Sequence, residues 1–315
     1  MSNSDIAAGA SQGLDLSIII VTYGAREVTF RCLDSVAMET ADIACEVIIV
    51  DNGSPDGMAG EIASCFPRFC VHPQHYNLGF AVAGNMAGNL ARGTYLLFLN
   101  PDTIVLEGAF DRILAFARRR PGAGIWGGRT LSAEGTPNLA SCRRKTTLWT
   151  LFCSALALDT RFPSSALVGS AGYGSRAPDR ERSVDVVCGC FLLVDRALWD
   201  RLGGFSPAFF MYGEDDDLSL RARKLGFFPA FTPDSAIIHF GSGTETNKER
   251  KIRQILAARA LYIRIHFSPL AKRSALALLT LRPRLGRRFA RPELRSLWRN
   301  VWARRAQWAA GRFGS

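Results

Sequence analysis

The chain has 315 residues, of which 48% are hydrophobic, with 39 Lys and Arg against 28 Asp and Glu. That much apolar content supplies a full core and excludes a disordered chain, and the length fits one large domain or a domain with an appendage. The net charge of +11 is lopsided: Lys248–Ser315 holds 18 Lys and Arg against Glu249 and Glu293, a net +16, which leaves −5 on residues 1–247. Such asymmetry points to an anionic surface, nucleic acid or membrane, met by the C-terminal part.

Residues 1–14 are expected to form a loose tail, since they contain neither the basic region nor the apolar run of a secretory signal. Leu16–Val21 (LSIIIV) is a β-branched run and reads as a strand buried on both faces. Thr22-Tyr23-Gly24 follows, then an amphipathic stretch Arg26–Met38 and a second apolar strand, Glu46–Val50, ending at Asp51. Strand, helix and strand in this rhythm make a βαβ unit with parallel strands. Asp51, at a strand's carboxyl end, is placed either to bond a nucleotide's ribose or base or to close an Asx turn.

A short helix (Met58–Phe66), a weak strand (Arg68–His72) and a helix rich in Gly and Asn (Ala81–Ala91) lead to Thr94–Leu99. That strand stops at Asn100-Pro101-Asp102, because Pro removes a ladder donor. Asp102 is therefore expected in a turn at the carboxyl end of a central strand, as a ligand for a hard cation or as a plain turn residue. The spacing then predicts a helix over Glu107–Arg119 and a strand over Gly124–Leu131. Gly122–Gly127 matches G-x-G-x-x-G but follows an Arg-rich helix end, not a strand, so a dinucleotide fingerprint is rejected.

Residues 136–183 read as long loops with short helices. Val184–Val194 reads as one last long strand with Gly189 inside it, and Arg196–Leu202 as a helix. Glu214-Asp215-Asp216-Asp217 opens another helix, and four acids there either complement its dipole or handle a cation or proton. Ala236–Ile238 then delivers His239, a structural residue or a metal ligand. In the tail, Arg250–Phe267 has helical spacing, and Leu294, Leu297, Trp298, Val301 and Trp308 fall near one helix face among arginines. A basic helix with Trp and Leu on its apolar side reads as lying in a membrane interface. The longest uncharged tail run, Ser274–Leu281, is too short for the roughly 20 residues of a spanning helix. The eight Cys form no C-x-x-C pair and are expected to be reduced thiols rather than a zinc site.

Six ordered segments, IIIVTYGAREVTFRCLDSV, VIIVDNGSPDG, NLGFAVAGN, YLLFLNPDT, VCGCFLLVDRALWDRLGGFSPAFFMYGEDDDLSLRARKLGF and IIHFGSG, together resemble the inverting glycosyltransferases of family 2, nearest to rhamnosyltransferase-like members. The resemblance implies an α/β fold of the GT-A kind, with a mostly parallel central sheet flanked by helices, over residues 15–247, and a basic helical extension over 248–315. It implies that Thr22, Tyr23, Asp51, Asn77, Gly79, Phe80, Asn85, Asn100 and Asp102 serve the nucleotide-sugar donor. Asp102 and His239 would hold Mg²⁺ or Mn²⁺, Asp215 would be the general base, and Glu214, Asp216 and Trp199 would stand on the acceptor side. Asn100 replaces the first Asp of the family's metal motif.

The reaction so implied moves a sugar, with rhamnose from dTDP-rhamnose favoured over a UDP-sugar, to a glycan or lipid-linked acceptor of a bacterial surface polysaccharide. The expected setting is cytoplasmic, peripheral on the inner face of the cell membrane. A nucleotidyltransferase is disfavoured because Thr22-Tyr23-Gly24 stands where a Gly- and Arg-rich phosphate loop belongs. Nucleic acid is not an expected partner, because the body is acidic and lacks a recognised motif.

Overall fold

The computed structural model describes residues 14–41, 43–138, 141–162, 165, 167–169, 179–241 and 247–313, to which all structural statements apply. The first half runs β1 (Leu16–Thr22), α1 (Arg26–Glu39), β2 (Cys45–Asp51), α2 (Met58–Cys65), β3 (Cys70–Pro73), α3 (Phe80–Leu90), β4 (Tyr95–Leu99), β5 (Thr103–Val105), α4 (Ala109–Arg119), β6 (Ile125–Leu131), β7 (Cys142–Arg143), α5 (Leu148–Ala155) and α6 (Leu158–Arg161). The second runs β8 (Arg182–Ser183), β9 (Val186–Val187), β10 (Phe191–Asp195), α7 (Arg196–Leu202), α8 (Glu214–Lys224), β11 (Ala230–His239), α9 (Lys248–His266), α10 (Pro269–Phe289), α11 (Pro292–Ala303) and α12 (Arg305–Ala309).

The main sheet has the order β3-β2-β1-β4-β10-β6-β11-β5, with β8 alongside β11. Its first four strands are mutually parallel, as βαβ crossovers require. β10 then enters antiparallel between β4 and β6. Side chains alternate between two apolar layers. Leu16, Ile18 and Ile20 of β1 meet Cys32, Leu33 and Val36 of α1 and Phe110 and Ile113 of α4. Ile19 and Val21 turn to α3, α7 and α8 through Ala83, Leu198 and Leu218. Burial on both faces is why these strands are continuously apolar.

The run Val184–Val194 is not one strand. It divides into β9 and β10, with Gly189 in the turn between them. The backbone N–H of Gly189 donates to the Asp215 carboxylate at 2.9 Å, a tertiary bond that local apolar patterning cannot register.

In the tail, α9 packs on the body through Ala258 and Tyr262 against Phe209. α10 fills the stretch between the two tail helices expected from periodicity. The supposed membrane-facing stripe is turned inward. Val301 and Trp308 are fully buried with α9 and α10, and Leu297 and Trp298 pack against the same cluster. The Trp308 indole N–H donates to the Val301 carbonyl at 2.8 Å. An amphipathic helix buries its apolar face on the nearest apolar surface available, and here α9 and α10 supply one. Among the described residues no helix is long and apolar enough to cross a membrane.

Candidate active site

Three strand ends and one helix start converge on one side of the sheet. β4 ends at Leu99, and β5 begins at once after the Asn100-Pro101-Asp102 turn. β5 pairs antiparallel with β11 in a register that sets His239 opposite Thr103. That register, continued by the Phe240 N–H to the Asp102 carbonyl at 3.0 Å, brings the imidazole to the carboxylate. His239 Nε2 lies 3.1 Å from Asp102 Oδ1 and 3.5 Å from Asn100 Nδ2. Burial opposes charge on His239, but the hydrogen bond and charge of Asp102 outweigh it and hold the imidazole above its ordinary pKa. Asp102 is itself buried, so its charge is little screened.

The second half of the site is built on α8. Asp215 Oδ1 accepts from the Arg143 guanidinium at 2.6 Å and from the Asp216 N–H at 2.8 Å, while Oδ2 accepts from Gly189 N–H at 2.9 Å. Arg143 also reaches Asp216 Oδ2 at 2.9 Å. Burial works against the charge of Arg143, and the two carboxylates hold it firmly protonated. The halves are stitched together by backbone: the Asn100 N–H donates to the carbonyl of Cys190, next to Gly189, at 3.1 Å. Tyr212 and Gly213, at φ 66° and 85°, turn the chain into α8. A non-glycine residue at positive φ is uncommon, and such strain collects at functional sites.

The four acids divide by role. Asp217 is structural, bonding Arg221 and His266, each at 2.7 Å, and so tying α8 to α9. Glu214 is buried with Oε2 lacking a hydrogen-bond partner. Burial first, then the charge of Asp215, push its pKa up to about 8. The folded protein thus holds a proton on Glu214 that the unfolded chain releases near its ordinary value of 4.5. The stabilisation from this proton is complete below that value and is lost as pH rises toward 8. Glu214→Gln is therefore expected to gain in melting temperature over the parent from pH 5 to pH 8, with a constant difference above. A pH-independent difference in thermal melts would show that Glu214 is already ionised in the fold.

Several residues expected at the donor or acceptor side serve the scaffold instead. Trp199 is buried against Phe98 and Phe205, with ring centroids 4.8 and 4.9 Å away, and does not face an acceptor. Gly88 of α3 leaves room for it, since a Cβ there would lie 3.0 Å from the indole. Both ends of the Asn85 amide are spent on the Phe205 backbone at 2.8 Å. Gly79 is required at φ 81° by the close approach of the Phe210 carbonyl, 2.4 Å from where a Cβ would stand, and so not by a ligand. Phe80 donates its N–H to that carbonyl at 2.7 Å and stands against Phe205. Asn77 bonds Asn52 at 3.0 Å and the Gly79 N–H at 2.9 Å. Thr22 is fully buried, with its hydroxyl 3.3 Å from Asp51 Oδ1. Asp51 also accepts from the Ser54 N–H at 3.3 Å and from its hydroxyl, the turn arrangement named as its alternative. Tyr23 alone of this set is largely exposed, at the end of β1.

Arg143 escaped sequence reasoning. Its only signal was the Arg143-Arg144-Lys145 run inside an otherwise loop-like segment. Cys188 and Cys190 were read as bulk thiols, yet their sulfurs lie 3.4 Å apart on either side of Gly189. The Cys190 hydrogen bond and then, against burial, Arg143 bring the Cys188 thiol down to about 6.

Among the described residues, no three His, Cys, Asp or Glu gather as a self-sufficient metal cage. One carboxylate and one imidazole on strand ends are nonetheless the donor set for a cation shared with a substrate's phosphates, since Mg²⁺ is commonly held by one or two carboxylates plus phosphate oxygens.

Comparison with known proteins gives this geometry a context. The sequence profile described as Glycosyl transferase family 2 matches residues 17–182, more than half of the chain. The N-acetylglucosaminyl-diphospho-decaprenol L-rhamnosyltransferase of Mycobacterium tuberculosis is 29% identical over 235 residues, 71% of this chain and 75% of that protein. The O-antigen biosynthesis protein RfbC of Myxococcus xanthus is 28% identical over 72% of this chain, but over only 17% of its own length. Among solved structures, mannosyltransferase PcManGT from Pyrobaculum calidifontis, in complex with GDP-Man and Mn²⁺, covers 95% of this chain and 76% of its own, with a TM-score of 0.53 at 18% identity. S. aureus TarS 1–349 covers 94% and 81%, with a TM-score of 0.52 at 15% identity. These likenesses identify the fold as GT-A.

Proposed function

This chain belongs to glycosyl transferase family 2 and is a glycosyltransferase, and from that premise we propose that it transfers a sugar with inversion from a nucleotide donor to a hydroxyl of a lipid-linked glycan. dTDP-rhamnose is the favoured donor, on the similarity to an enzyme named as an L-rhamnosyltransferase acting on a diphospho-decaprenol. The observation that carries the reading is Asp215: a buried carboxylate whose two oxygens are fixed by Arg143 and Gly189, at a helix start backbone-linked to Asp102 and His239.

In the proposed step the acceptor hydroxyl attacks the anomeric carbon from the face opposite the leaving group. A C–O bond forms, the bond to the diphosphate oxygen breaks, and the hydroxyl proton passes to an Asp215 oxygen. The nucleoside diphosphate departs with the electron pair of the broken bond, and one displacement inverts the centre. Asp102 and His239 would hold the divalent cation, Mg²⁺ or Mn²⁺, which when bound supplies Lewis-acid neutralisation of the diphosphate. Arg143 aims Asp215 and separates its charge from that of Asp216. Exposed Tyr23 at the end of β1 is placed to stack on the base.

The direct test incubates the protein with dTDP-rhamnose and, separately, UDP-sugars, Mn²⁺, and a short-chain polyprenyl-diphosphate N-acetylglucosamine. Rhamnose transfer giving the inverted linkage is expected. Transfer from a UDP-sugar alone would replace the donor assignment and keep the reaction class.

Attachment to an anionic membrane surface is part of the same reading, now on different residues. α5 leaves Leu148, Trp149, Phe152 and Leu156 exposed along one side, with the Trp149 and Phe152 rings stacked at 5.7 Å. The basic helix α10 is fastened to it by Arg282, which bonds the Ser154 carbonyl and Asp159. Apolar aromatic surface beside Lys and Arg is the composition of interfacial helices. Sedimentation with phosphatidylglycerol vesicles is expected for the parent chain and to fall with salt, and Trp149→Ser with Phe152→Ser should abolish it. Unchanged sedimentation of that double variant would remove α5 from the contact.

A further inference from the structure

Away from the catalytic carboxylates, α9 and the C-terminal turns around α12 enclose a small cleft of about 270 Å³. Four guanidinium groups line it, those of Arg250, Arg253, Arg304 and Arg312, together with Gln254 and Gln307, and no carboxylate is in the lining. Glu249 pairs with Arg253 at 3.4 Å from outside that lining. Four like charges around one small space repel unless an anion occupies it. Gln254 gives an independent sign of a ligand. It is only 6% exposed, and its Oε1 has no hydrogen-bond partner. An amide turned over at that place offers its NH₂ as a donor into the cleft.

The volume lies below the ~300 Å³ at which small-molecule pockets begin, which suits a compact anionic group and excludes a whole nucleotide. Guanidinium groups match phosphate oxygens in bidentate geometry. The cleft also lies close to the acceptor side. Six residues along α9 from Arg253, about 9 Å at the helical rise, stands Arg259, whose charge acts on Asp216. Phe313, at the other wall, lies 6.2 Å ring to ring from Phe210, whose carbonyl anchors the start of α3.

We propose that this cleft is a phosphate- or diphosphate-binding site, supplied either by the diphosphate of the acceptor or by an anionic lipid headgroup. The acceptor source rests on the transfer reading above; the anion site itself does not. The test titrates the full chain with inorganic pyrophosphate in EDTA. Parent, Arg304→Gln with Arg312→Gln, and separately Gln254→Leu are compared, so that binding elsewhere is common to all. The double variant should bind at least ~10-fold more weakly, the scale of one lost hydrogen bond to a charged group, and Gln254→Leu measurably so.

With a soluble short-chain acceptor, a raised KM for acceptor with an unchanged donor KM assigns the acceptor diphosphate. An unchanged acceptor KM with weaker sedimentation on phosphatidylglycerol vesicles assigns the headgroup. Pyrophosphate binding equal in all three proteins overturns the proposal. Because the titration needs no turnover, its result stands even if no transfer is detected.

Discussion

Asp215→Asn is expected to lower turnover by at least ~10²-fold, the usual contribution of a positioned general base, while donor affinity stays near that of the parent. The amide keeps the size of the carboxylate and can still accept from Gly189 N–H, which donates at 2.9 Å in the parent. What it loses is the capacity to take a proton. Arg143 keeps its bond to Asp216, so the helix start should hold its place. Asp216→Asn is the discriminating control. It shares Arg143 with Asp215 but lacks the Gly189 contact, so its loss should be much smaller. Wild-type turnover in Asp215→Asn together with a dead Asp216→Asn would move the base one residue along α8. Arg143→Met separates aiming from proton transfer: it should lower turnover, leave the donor KM alone, and shift the acidic limb of the pH–rate profile upward, because a guanidinium favours the ionised base.

Removal of divalent cations should have a comparable effect. Chelation with EDTA is expected to abolish transfer, and Mn²⁺ or Mg²⁺ to restore it; a Lewis acid on a departing diphosphate contributes several kcal/mol. Asp102→Ala should reproduce the loss even in saturating metal. A readout independent of turnover is thermal stabilisation by nucleoside diphosphate, which raises the melting temperature through binding to the folded state. The parent should show a metal-dependent gain that Asp102→Ala lacks and His239→Ala diminishes. The 3.1 Å contact of Asp102 with His239 makes the two residues one unit, so their effects should not add. Full activity in chelator would retire the cation and leave protein donors alone to hold the diphosphate.

The sequence alone determined the parallel strand–helix succession up to Asp102, because apolar runs of strand length bounded by Gly, Asn and Pro are local signals. It also determined where Asp102, Asp215 and His239 lie along the chain. Their convergence came from tertiary structure: β11 pairing with β5 in one register brings His239 to Asp102, and β10 inserts beside β4 so that the Gly189 turn reaches Asp215. Arg143 was illegible for the same reason, since it approaches Asp215 from 72 residues away.

Trp199, Asn85 and Gly79 had the composition of a binding surface, yet burial and backbone bonding assign them to the scaffold. Period 3.6 correctly grouped Leu297, Trp298 and Val301 on one face. Whether that face met lipid or protein depended on α9 and α10 presenting an apolar surface to it. An amphipathic pattern fixes which residues leave water together, and only the packing of the whole chain decides what they leave it for.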